Sequence, residues 1–163
     1  MAPMDDRTFA AYLEDHLVGS GAGLTVARRL RRAHPGDEIG AAMLRLEVQI
    51  EEEQRALRTA IDRLGGTESG PGLVGQVLGL AAGAATAARR LLIPEPVPSL
   101  LEDLESLAVG IWGKRLLWGA LARRAMEDTR LADIEIERLV EQAEVQELEI
   151  LRLRDDELQP VSS

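Results

Sequence analysis

The chain has no cysteine, only 2 % aromatic residues and only two histidines among 163 residues. Without cysteine there is no disulfide, no thiolate metal ligand and no sulfur nucleophile. Few aromatics, and few Val or Ile runs bounded by turn residues, argue against strands, whereas the abundant Leu and Ala favour helix. Basic charge is also in deficit: 19 Lys and Arg stand against 28 Asp and Glu, a net charge of −9. A phosphate backbone would meet repulsion over most of such a surface, so nucleic acid is not an expected partner. Met1 to Asp6 carries Pro3 and two aspartates where a signal peptide has a basic region and an apolar run, so no secretory signal is expected.

What the chain does have is 45 % hydrophobic content, enough for one core at this length, and the reading is a single helical-bundle domain over residues 1–163. Four long segments carry apolar residues at three-to-four spacing. Helix 1, about 6–34, is expected to begin near Asp5 to Thr8, where Asp or Thr can cap, and is stopped by Pro35 and Gly36. Helix 2, about 37–64, ends at Gly65 and Gly66. Helix 3, about 99–126, opens with a capping box in which Ser99 is followed three residues later by Glu102. Helix 4, about 128–157, buries a stripe of Ile136, Leu139, Ala143, Ile150 and Leu153.

Connections 1–2 and 3–4 are very short and make antiparallel hairpins. The crossover, 65–98, is long enough to return along the bundle, so the expected fold is all-α, a four-helix bundle of ferritin-like topology. A short helix is expected at about 73–91. Residues 73–88 are uncharged, with Gly75, Gly79, Gly83 and Ala87 at four-residue spacing. Small residues at that spacing are a contact face of transmembrane helices, so membrane-surface association through 73–88 is one alternative. Sixteen weakly apolar residues fall short of the roughly twenty a span needs, which counts against a membrane and favours a crossover helix lying on the bundle.

Ferritin-like di-iron sites need inward carboxylates from the four helices and two Glu-x-x-His pairs. This chain has no Glu-x-x-His, and both histidines, His16 and His34, fall on helix 1. If a metal binds at all, the donors are Glu14, His16, Glu47, Glu51 and Glu144, a degenerate metal or redox site; the leading expectation is no metal and no cofactor. In place of a cage the middle is expected to hold a polar layer of Asp15, His16, Glu51, Lys114 and Gln146, because Lys114 lies on the helix 3 seam between Ile111 and Trp118. A buried lysine must meet a carboxylate, and Glu51 or Glu52 is the expected partner. A small site with His16 as base and Lys114 as electrophilic clamp is the sharper alternative. The run Gly19-Ser20-Gly21-Ala22-Gly23 lacks the strand and the Gly-Lys-Ser/Thr of a phosphate loop and is expected to mark a close helix crossing.

Residues 127–157 hold twelve acidic and four basic side chains, nearly all of the net charge. Leu131, Ile134, Val145 and Leu148 form a second apolar set opposite the main stripe of helix 4, an expected interface with a protein partner or a second copy.

The segments Tyr12-Leu13-Glu14-Asp15-His16-Leu17 with Gly19, then Glu51-Glu52-Glu53, then Ser99 to Trp118 with its Leu-Ala-Val-Gly-Ile-Trp-Gly-Lys run, stand in a recognisable order. In this order the chain resembles a group of uncharacterised bacterial four-helix-bundle proteins described as ferritin-like. The crossover departs most, being rich in Gly and Ala where similar proteins are more charged. The resemblance implies a cytoplasmic bundle, carries over no activity and no catalytic residue, and adds weight to Asp15, His16, Glu51 and Lys114. Together these readings lead to a non-enzymatic bundle that acts through protein contacts, with a protein partner or as a homodimer.

Overall fold

The computed structural model describes residues 4–66 and 99–159, and among these there are four long helices and no strand. They are α1 (Asp6–Ala33), α2 (Glu38–Arg63), α3 (Leu100–Ala125) and α4 (Ile136–Glu157). The expected crossover helix at 73–91 lies outside the described residues.

Side chains that the sequence offers as caps start the first three helices. The Asp5 carboxylate accepts from the Thr8 amide at 2.8 Å, Asp37 accepts from Gly40, and Ser99 and Glu102 satisfy each other's backbone amides. The α1–α2 turn needs its glycines. Gly36 has φ +86°, and a Cβ on Gly40 would sit 1.9 Å from the His34 carbonyl oxygen.

The fourth helix starts later than the sequence suggests. Asp128 accepts from the Arg130 amide and starts a 3₁₀ turn, Thr129–Leu131, and the chain bends again before Ile136. This bend corrects the expected interface. Leu131 is fully buried beneath the end of the bundle and Ile134 packs on the same core, so neither lies on an outer helix face. The turn is fastened by charge: Arg63 grips Asp133 and the Arg130 carbonyl, while Arg130 reaches Asp6 and Asp128.

α1 packs against α2 and α3, and α4 packs against α3 and α2. Ion pairs fix the directions. Arg28 reaches Glu51 at 2.6 Å and Arg31 reaches Glu47, so α1 and α2 are antiparallel. Arg29 to Asp103 at 2.6 Å, with Arg124 to Asp6 at the other end, makes α1 and α3 antiparallel. Arg154 to Glu105 and Arg115 to Glu144 and Glu147 do the same for α3 and α4. Arg138 to Glu52, Arg45 to Glu149 and Arg152 to Glu38 do so for α2 and α4. α2 and α3 therefore run the same way, diagonally opposed.

The core has two clusters. One gathers Phe9, Leu13, Leu57, Ile61, Trp118, Leu121, Leu131 and Leu139; the other gathers Leu30, Met43, Leu46, Ile50, Leu104, Ile111, Ile150 and Leu153. Each large side chain removed from water contributes roughly 1.5–3 kcal/mol. On α2, α3 and α4 a polar residue falls between the two clusters, and on α1 the same stretch is His16 to Gly23.

Candidate functional site

The polar residues between the clusters meet around Lys114, the only lysine in the chain. Its Nζ donates to Glu53 Oε2 at 2.7 Å and to Gln146 Oε1. Glu53 Oε1 accepts from Gln142 Nε2 at 2.8 Å and Gln146 Nε2 at 3.0 Å, and Gln146 Nε2 also donates to Gln49 Oε1 at 2.8 Å. Glu53 is 3 % exposed and Gln146 is 2 % exposed, so this is an interior network. Burial pushes the Lys114 ammonium below its ordinary range, and the Glu53 carboxylate opposes that shift. With charge matched and the amide and carboxylate groups bonded, the layer meets the condition under which buried polar groups are tolerated.

The partner differs from the expected one. Glu51 is largely exposed and pairs with Arg28, and Glu52 turns to Arg138 on α4. Successive helical residues are turned by about 100°. Of the three consecutive glutamates only Glu53 lies on the stripe of Ile50 and Leu57, three residues after one and four before the other. That spacing is the signal in the sequence that points to Glu53, and the expectation of Glu51 or Glu52 did not use it.

The other expected members lie beside the layer, along a groove between α1 and α3. Asp15 is exposed at its rim. His16 is half-buried, its ring edge-on to Tyr12 with centroids 4.7 Å apart, and burial lowers its pKa while Asp15 opposes the shift. The groove holds about 590 Å³ and is floored by Ile50, Leu57, Leu107, Ile111 and Trp118. Ser20 accepts from Gln54 at 2.8 Å on its α2 side. The glycines here do not mark a close crossing, as the sequence suggested. A Cβ built on Gly19, Gly21, Gly110 or Gly113 meets no atom within 4 Å among the described residues, and one on Gly23 meets only the tip of Ile50 at 3.9 Å.

The donors named for a metal are dispersed. Glu47 pairs with Arg31 and Arg28, Glu51 with Arg28, and Glu144 with Arg115 on the far side of the bundle. Among the described residues no three His, Asp or Glu side chains converge as a metal site. Nor do His16 and Lys114 form a base and clamp: both line the groove, but Lys114 is engaged by Glu53 and Gln146.

Among the described residues no helix is long and apolar enough to cross a membrane, and 73–88 lies outside them. Of the expected interface residues, Val145 and Leu148 do face outward, 62 % and 69 % exposed, with Leu151 beside them. The Arg115 and Arg154 pairs place Trp112, 55 % exposed, level with this patch on the neighbouring helix. The sequence had suggested no role for Trp112, although it follows buried Ile111 directly and so points about 100° away from the seam. Comparison with protein-family models, with curated proteins and with solved structures gives no match, so the resemblance described above rests on its own residues.

Proposed function

We propose that this chain is a non-enzymatic helical bundle acting through protein–protein contacts, and that the partner of its outer α4 face is a second copy of the chain. The observation that carries this is the apolar patch of Val145, Leu148 and Leu151, level with the exposed Trp112. Exposed apolar clusters of this kind mark contact surfaces, with aromatic residues as their anchors. The arginines beside the patch are paired within the chain, Arg115 with Glu144 and Glu147, and Arg154 with Glu105. A second copy therefore meets a patch whose nearest carboxylates are partly offset by arginine, in spite of the net charge of −9. A helix presenting one patch to its own copy about a two-fold axis is the simplest closed arrangement.

The internally bonded Lys114–Glu53 layer supports a structural role over a catalytic one, because among the described residues its lysine and carboxylate are engaged with each other and with Gln146. The shared direction of α2 and α3 supports ferritin-like connectivity, and with it the bacterial ferritin-like bundle family and a cytoplasmic setting. The dispersed donors give the metal-binding reading less support.

Sedimentation analysis of the chain and of Leu148→Asp tests the reading. The expected result is a dimer at micromolar concentration that dissociates at least tenfold more readily in the variant, with unchanged helical circular dichroism. A monomer at every concentration would refute it.

A further inference from the structure

α3 carries apolar side chains on two sides. Its inner stripe of Leu104, Leu107, Ile111 and Trp118 fills the core, yet Val109, Trp112 and Leu116 stand outward, 70 %, 55 % and 53 % exposed. Steps of three and then four residues put these three on one line along the helix. A helix that is apolar on both sides is normally covered on both. Val109 and Leu116 continue along α3 the contact that Trp112 begins.

The charges of α3 divide at the middle of this line. Before Trp112 they are Glu102, Asp103 and Glu105, all acidic; after Gly113 they are Lys114, Arg115, Arg123 and Arg124, all basic. Within the helix the macrodipole favours that order. Between two copies the same order has a second effect: a helix so divided repels a parallel copy of itself and attracts an antiparallel one. Among the described residues Lys114, Arg115 and Arg124 are each held by a carboxylate of another helix, whereas Arg123 is exposed near one end of the line and Glu102 is exposed near the other.

We infer that two copies of the chain pack α3 against α3 in antiparallel register, about a two-fold axis that crosses the helix between Trp112 and Gly113. Val109 stands three residues before Trp112 and Leu116 three residues after Gly113, so each Val109 meets the partner's Leu116. Trp112 lies over the partner's Gly113, where there is no side chain to displace it. Glu102 stands ten residues before Trp112 and Arg123 ten residues after Gly113, so both ends of the contact close on opposite charges. The same axis serves α4, because the Arg115–Glu147 and Arg154–Glu105 pairs hold Leu148 level with Trp112, and Val145 and Leu151 lie three residues to either side of it. This pairing rests on the self-association proposed above and fixes its axis.

The chain has no cysteine of its own, so introduced ones report alone. Val109→Cys combined with Leu116→Cys is expected to oxidise to a covalent dimer, since positions 109 and 116 of one helix stand about 10 Å apart and cannot bridge within it. Neither single variant is expected to crosslink comparably, because each would have to span a similar distance to its own copy. Arg123→Glu sets acid against acid and is expected to weaken the dimer about three- to tenfold in sedimentation at low salt, with unchanged helical circular dichroism. A dimer in sedimentation whose double-cysteine variant stays uncrosslinked, or whose single variants crosslink as fast, would overturn this register and leave the self-association standing. An Arg123→Glu dimer as tight as the parent would do the same. A chain that is monomeric at every concentration would overturn both.

Discussion

The α1–α3 and α2–α4 sides of the bundle are built from opposite materials. Across α2 and α4, Arg45, Arg138 and Arg152 reach glutamates of the facing helix and span the seam along its length. Across α1 and α3, such pairs stand only at the two ends among the described residues, and the middle is Gly19, Gly23, Gly110 and Gly113 around an apolar floor. A seam closed by long charged side chains needs no further cover, because solvated pairs tolerate water. A seam of glycines leaves a groove over Ile111 and Trp118, whose side chains are themselves buried in the core. Part of the acidic character of helix 4 serves such pairing: Glu144 and Glu147 answer Arg115 of α3, and Glu149 answers Arg45 of α2.

The Lys114 layer joins the two sides, since the lysine lines the α1–α3 groove while its ammonium is held by Glu53 of α2 and Gln146 of α4. Breaking it has the largest expected effect. Lys114→Met leaves the Glu53 carboxylate buried without its cation and is expected to cost about 3–5 kcal/mol in urea denaturation. The double variant Lys114→Met with Glu53→Leu is expected to recover most of that loss, because removing both members of a buried pair is often close to neutral. A double variant as unstable as the single one would mean that Gln142 and Gln146 depend on the carboxylate for more than its charge.

A smaller effect separates the sides by pH. Burial against the α1–α3 groove lowers the His16 pKa from its ordinary 6.5. The unfolded chain then binds a proton at a pH where the folded chain does not, so stability is lost as pH falls below 6.5 towards the folded value. His16→Gln is expected to flatten that stretch of the stability profile. It should leave the acid limb below 3.8, where Asp37, Asp128 and Asp133 lose their partners, as it was.

Much of this is written plainly in the sequence, and where it is not the reason is geometric. Caps and stops are local, so Asp5, Asp37 and the Ser99–Glu102 box mark their helices directly. The start of α4 was hidden because Asp128 to Glu135 is acidic enough to read as a first helical turn, whereas Asp128 spends its carboxylate on Arg130 and the chain bends to bury Leu131. The candidate site was legible in its lysine and glutamine. Its carboxylate was misplaced by two residues, because three adjacent glutamates look alike until Ile50 and Leu57 set the phase. The glycines of α1 suggested close approach, since a sequence shows that a side chain is missing and not how near the neighbouring helix comes.

The contrast between the two sides is tested most directly by hydrogen–deuterium exchange of the full chain. The burial of Leu107, Ile111 and Leu117 in the floor of the α1–α3 side predicts that amides of residues 16–26 and 107–117 exchange as slowly as those of 43–57 on α2, all opening only with global unfolding. Exchange at least tenfold faster along 16–26 and 107–117, with α2 still protected, would contradict it and leave the groove a solvent-filled seam.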